Sequence, residues 1–196
     1  METIRLVLVL VGFIGVCQGY GSGAPPVACE DMTPGHVLNG NDSIPLSPSD
    51  EPSPFTVTVS EVEFGQGGQV EVTIQGSVNF AGFLLQARQD GEDEPVGTFS
   101  DLASDMKFVE CSATYTEAAV THTNSNPFDG DVTVTWTAPS TQIADVTFYA
   151  TVASDHDNYW VMLESEKIIY SGFSVLYPKL CMVLLPMVAI LNRFLG

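Results

Sequence analysis

The sequence predicts an all-β protein, an antiparallel immunoglobulin-like β-sandwich of about eight to nine strands. Three observations carry that expectation. Apolar and polar residues alternate with period two in several short runs, clusters of Gly, Pro, Asn, Asp and Ser part those runs, and no stretch between the two ends has a helical period. Period two records a strand whose side chains point alternately to a core and to solvent. Many such strands, parted by turn residues, are the pattern of two packed sheets.

The residues that follow position 20, "GSGAPPVACEDMTPGHVLNGNDSIPLSPSDEPSPF", are dense in Pro, Gly, Ser and acids and have no periodicity, so they are expected to be extended and loop-like. From Phe55 the pattern changes. "FTVTVS" sets Val57 and Val59 against Thr and Ser, and "QVEVTIQ" sets Val70, Val72 and Ile74 against Glu71, Thr73 and Gln75, with "GQGG" as the turn between them. "FLLQAR", "KFVECS" and "YWVMLES" are further strand-like runs. In "DVTVTWT" Val132, Val134 and Trp136 face one way, which makes Trp136 a core anchor. Pro139 ends that ladder because it has no amide hydrogen to donate. "DVTFYATV" places Val146, Phe148, Ala150 and Val152 on one face. The turns fall at "QDGEDEP", "NSNPFDGD", "APSTQ" and "SDHDN".

Both ends differ from this middle. Arg5, the apolar run Leu6 to Val16 and the small and polar residues after it predict a secretory signal peptide over residues 1–19. As a membrane helix that run is too short. Residues 168–196 form a hydrophobic tail in which Phe173 to Leu191 spans nineteen residues with Lys179 near one end. Three readings of the tail stand side by side: a membrane helix with the lysine snorkelling, a glycolipid (GPI) anchor signal with Ser171 or Gly172 as the attachment residue, and a buried strand or core segment. The first two attach the chain to a membrane, so the expected location is secreted or on the outer face of the plasma membrane.

The region from 20 to 172 holds 23 of the 24 acids and only Arg88, Lys107 and Lys167 as bases, a formal charge near −20. Such a balance repels phosphate backbones and argues against nucleic acid as a partner. It favours solubility, or the attraction of cations and basic partners. Cys17 falls in the signal peptide and Cys181 in the tail, leaving Cys29 and Cys111. In an oxidising secretory compartment two cysteines in one domain are most simply a disulfide; two thiols holding a metal would need closer Cys and His spacing. "NDS" makes Asn41 an N-glycosylation acceptor.

Chemistry has few candidates. His36, His122 and His156 lack helical or clustered metal-site spacing, although Asp155, His156 and Asp157 are adjacent and their imidazole and carboxylates suit a divalent cation. There is no nucleophile elbow, no phosphate-binding glycine loop and no cysteine nucleophile once the disulfide forms. Glu61 with Glu63, and Glu92 with Glu94, sit on a strand face or in a turn, with no apolar pocket implied to raise a carboxyl pKa. The expectation is a non-enzyme with no cofactor.

"GAPPVACEDMTPGH" at 23–36, "FAGFLLQAR" at 80–88, "GTF" at 97–99, Cys111, "THTN" at 121–124, "WTAP" at 136–139 and "VTFYATV" followed by "YWV" resemble, in order and spacing, a Reeler domain, the module at the N-terminus of reelin and the spondins. The resemblance covers nearly all of residues 20–167. It implies an extracellular β-sandwich, pairing of Cys29 with Cys111, and His36, Phe83, His122, Trp136, Pro139 and Trp160 as structural signature residues. The family commonly has glycine where this chain has Val37. Stand-alone Reeler proteins resemble insect defence proteins of innate immunity; longer relatives place the module ahead of a DOMON and a cytochrome b561 domain, as in ferric-chelate reductase-like proteins. The haem ligands of those relatives have no counterpart in these residues, so no reductase activity carries over. The expected role is an extracellular recognition module for an unidentified microbial, glycan or protein ligand. Two other roles stand beside it, an accessory ectodomain in redox or iron handling and an adhesion or matrix component.

Overall fold

The computed structural model describes residues 21–38 and 41–172. The expected signal peptide, and the tail from residue 173 onward, lie outside the described residues. In chain order the elements are a single 3-10 turn (Pro26–Cys29) and strands β1 (Val37–Leu38), β2 (Asn41–Pro45), β3 (Phe55–Val59), β4 (Glu63–Phe64), β5 (Gln69–Gly76), β6 (Gly82–Gln89) and β7 (Thr98–Ser100). They continue with β8 (Met106–Phe108), β9 (Ala119–His122), β10 (Val132–Thr137), β11 (Val146–Ala153), β12 (Tyr159–Glu164) and β13 (Ile169–Tyr170).

Nine of the strands form two facing sheets, ordered β3-β5-β10-β7 and β12-β11-β6-β9-β8, and every pair within them is antiparallel. The expected sandwich is therefore the observed one. Two small additions flank it, the β1-β2 hairpin and a parallel pairing of β13 with β4. At one edge of the larger sheet, β12 slips register against β11 between Ala150 and Val152, and Met162 takes a left-handed φ of 52°.

Alternation decides which faces meet. In β5 and β10 the valines, Ile74 and Trp136 are buried, while their outer neighbours include a Thr73 and Thr133 pair hydrogen-bonded at 2.8 Å. Trp136 is fully buried; its ring meets Phe64 and Phe148 edge-on, each at 5.4 Å, and its Nε1–H donates to Val96 O at 2.8 Å. The "NSNPFDG" turn contributes to the core as well: Phe128 stacks on Phe80 at 5.1 Å. Pro139 follows the end of β10, and its carbonyl accepts Gly67 N–H at 3.1 Å.

The larger sheet departs from simple alternation. Seven consecutive residues of β6, Gly82 to Arg88, are buried, and in β11 Thr147 and Thr151 are buried beside the apolar residues. The cause is the N-terminal segment, expected as a loop, which lies across the outer face of this sheet as a strap. Ala28, Cys29 and Met32 of the strap make a second small core with Leu84, Val109 and Ala119. "KFVECS" becomes a strand only at Met106–Phe108, since Val109 turns into this second core and Cys111 into the disulfide.

Candidate functional site

Polar side chains on the outer face of the larger sheet hold the strap. Arg88, 4% exposed, donates from Nη2 to the carbonyls of Cys29 (2.8 Å) and Glu30 (2.9 Å), and Gln86 Nε2 donates to Cys29 O at 3.1 Å. Gln86 Oε1 in turn accepts from Arg88 Nε at 3.0 Å. Burial lowers the Arg88 pKa, with Asp93 opposing the shift through its charge. Thr151 Oγ1 donates to Met32 O at 2.8 Å; Ala24 N–H donates to Thr121 Oγ1 at 2.9 Å. Cys29 and Cys111 form the disulfide, so the strap is locked to the end of the sheet at 5.4 Å between Cα atoms. At Gly23 (φ 104°) a Cβ would stand 2.3 Å from His122 O, so only glycine lets the strap lie this close to β9.

Beyond these clamps strap and sheet part, leaving a partly open cavity of 320 Å³. The strap contributes Ala24, Pro25, Ala28, Met32, Pro34 and His36; the sheet contributes Gly82, Phe83 and Leu84 from β6, His122 from β9, and Thr151 and Ala153 from β11. Asp155 and His156 close one side. Small residues make the space, because Ala24, Ala28, Ala81, Gly82 and Ala153 all line it and none can fill it.

The three histidines line this cavity, which nothing in their spacing announces. His36 and His156 stack with centroids 4.8 Å apart and planes 11° from parallel, and Tyr159 meets His36 edge-on at 5.4 Å. His36 Nδ1 is buried and makes no hydrogen bond. Burial lowers the His36 pKa from its ordinary 6.5; His156 lowers it further by charge, while a backbone hydrogen bond at His156 and the carboxylates of Asp157 and Asp155 oppose the shift. An unfolded chain therefore takes up this proton at a higher pH than the folded one, and stability falls as pH drops below about 6.5. The expected result is a lower urea midpoint at about pH 5.5 than at about pH 7.5, with His36→Gln narrowing the difference.

His122 is buried, and its Nδ1 accepts Phe83 N–H at 3.1 Å, which puts the ring proton on Nε2 in the neutral form. The neighbouring Thr121 hydroxyl makes three contacts: it donates to Phe83 O at 2.6 Å, accepts Ala24 N–H at 2.9 Å and lies 3.2 Å from His122 Nδ1. A hydroxyl so used is a structural clamp, not an activated nucleophile. Gly82 belongs to the same arrangement, since a Cβ there would come within 2.9 Å of the His122 ring.

Asp155, His156 and Asp157 do not converge on one point. Asp155 Oδ1 caps its own turn, accepting the N–H groups of Asp157 and Asn158 at 2.9 Å each, and both its oxygens accept from Asn158 Nδ2. Burial would raise its pKa, but these hydrogen bonds outweigh it and the pKa is lowered. His156 Nδ1 lies 2.7 Å from Asp157 Oδ1. Among the described residues no group of three or more His, Cys, Asp or Glu is arranged to hold a metal. Turn geometry engages both carboxylate oxygens of Asp155.

The other marked residues have separate places. Phe83 is buried in the main core, and Trp160 is half-buried, packing edge-on to Phe55 at 5.4 Å and donating from Nε1 to Glu51 O at 2.9 Å. Asn41 is exposed at the start of β2. Ser171 is half-buried, its N–H donating to Phe64 O at 2.9 Å, and Gly172 is exposed. No helix among the described residues is long and apolar enough to cross a membrane.

These features define a class: a small antiparallel β-sandwich with a disulfide-locked N-terminal strap and a ligand-sized apolar cavity beneath it. A Reeler domain model matches residues 27–173, and the chain belongs to the Reeler family. It is 36% identical over 171 residues to the Danio rerio protein named "Putative ferric-chelate reductase 1", covering 86% of this chain but only 28% of that protein. It is 34% identical over 167 residues to "Putative defense protein 1" of Antheraea mylitta, covering 83% of this chain and 94% of that one. The crystal structure of a human F-spondin reeler domain superposes with a TM-score of 0.52 at 19% identity, over 64% of this chain and 94% of the other, a likeness of fold.

Proposed function

We propose that this chain is a non-catalytic extracellular recognition module, secreted or held at the outer face of a membrane by its apolar tail, that takes its ligand in the cavity between strap and sheet. The observation that carries this is the cavity itself. A void of this size lined by small apolar residues has stability to gain if filled, and its location under a disulfide-locked strap gives a ligand rigid walls. The disulfide accords with an oxidising compartment, and exposed Asn41 accords with a glycan on the hairpin side. The Thr151 hydroxyl and the His122 imidazole on the cavity wall hold structural hydrogen bonds, which speaks for binding over reaction.

Similarity along nearly the full length of a protein named for defence supports a role at microbial surfaces. Sedimentation of purified protein with intact bacteria and with isolated surface glycans tests it. Saturable binding, lost in Ala153→Phe, is expected; no binding to either surface would overturn the defence role. The similarity to ferric-chelate reductase 1 favours a second reading, an accessory ectodomain in iron handling. Heat on calorimetric titration with Fe³⁺ or Ca²⁺ at micromolar concentration would select that reading.

A further inference from the structure

We infer that the cavity under the strap takes a single-chain amphiphile with an apolar body of about ten to twelve carbons and a head that is not anionic. The inference rests on the reading of the cavity as a binding site and names the chemistry of what enters it.

Volume sets the length. An apolar cavity of about 150 Å³ accommodates benzene, six carbons, so the 320 Å³ found here takes roughly twice as many. The walls set the body. Ala28, Met32, Phe83, Leu84 and Ala153 present hydrocarbon, and the nearby threonine hydroxyls are already spent: Thr151 on Met32 O of the strap, and Thr121 on Phe83 O of β6 and on Ala24 N–H of the strap. A flexible chain suits such a wall better than a sugar, whose hydroxyls would find few partners there and would lose their water.

Charge sets the head. Asp155 lies on the cavity wall with Asp157 beside it, and four hydrogen bonds from Asp157 and Asn158 hold Asp155 ionised. The imidazoles next to it, His36 and His156, stack on each other, and His156 Nδ1 is already engaged by Asp157 Oδ1 at 2.7 Å. Lys107 approaches the strap at Gly23 but does not line the cavity. The whole chain carries −18. A carboxylate or phosphate head entering at this side meets repulsion, whereas an ammonium head meets attraction and an alcohol neither.

Calorimetric titration of the purified protein with decylammonium, decanol and decanoate, each below its micelle concentration, tests this. Decylammonium is expected to bind best and decanoate at least about tenfold more weakly, with the gap closing at about 1 M salt as the charges are screened. Ala153→Phe, which fills the cavity from β11, is expected to abolish binding of all three while leaving the thermal midpoint close to that of the parent; should it fail to fold, Ala81→Leu serves in its place. Equal or tighter binding of decanoate overturns the head assignment. Undiminished binding in a folded cavity-filling variant, or no heat from any of the three, overturns the inference. The recognition reading fails separately: if the filled variant still sediments with bacteria, recognition does not use the cavity, whatever the amphiphiles do.

Discussion

Converting Cys29 and Cys111 together to serine is expected to lower stability by about 4.5 kcal/mol. The bridge closes a sequence separation of 82 residues, and the entropy of that loop in the unfolded chain sets the estimate. For a domain of this size the thermal midpoint should fall by roughly 10–15 °C, read by calorimetry. A local effect should accompany the global one. Without the bridge the strap is held by the hydrogen bonds of Arg88, Gln86, Thr151 and Thr121 and by the small core around Ala28 and Met32, so limited proteolysis should cut between residues 21 and 36 well before it cuts the sandwich. Uniform cleavage throughout the chain would show that strap and sandwich unfold as one unit.

Trp136→Ala is expected to cost about 3–5 kcal/mol. The indole is fully buried, packs between Phe64 and Phe148, and satisfies the Val96 carbonyl, so truncation leaves both a void and an unpaired acceptor. Trp136→Phe keeps most of the volume and loses the donor; its cost should be smaller, about 1–2 kcal/mol. Urea unfolding of the two variants separates packing from the hydrogen bond. Equal losses in both would mean that the indole N–H, rather than the ring's bulk, dominates at this position.

The strands that alternate were legible in the sequence because one of their faces meets water. β3, β5 and β10 belong to a sheet with a solvated outer side, and Val57, Val72 and Trp136 sit at the phase their spacing predicts. β9, Ala119 to His122, is buried at every position, and β7 has three residues, so neither left a period to read. The strap was missed for a related reason. It docks through its own carbonyls and a few small side chains, so its sequence looks like any Pro- and Gly-rich loop. A signal was nonetheless present: Gln86 and Arg88 fall on the same face of a continuous strand run, and a buried guanidinium needs carbonyls to receive it.

The cavity was legible residue by residue but not as an assembly. His36, His122 and His156 each stood out, yet they come from the strap, the end of β9 and the turn after β11, and only the fold brings His36 against His156. Alanine and glycine at 24, 28, 81, 82 and 153 carry no periodic signature; their meaning is the space they leave. The Asp155 to Asp157 run reads as a cation site in sequence, and composition does not reveal that Asp155 also accepts the N–H groups of its own turn.

The offset pairing of β12 and the left-handed backbone at Met162 affect how copies of this molecule meet. A flat, regular outermost strand invites a neighbour's strand to dock along it and so seeds polymerisation. Here the outermost ladder is kinked and out of step, and the strand at the opposite rim, β8, is three residues long. Fibril-like stacking is thereby obstructed at both rims of the larger sheet.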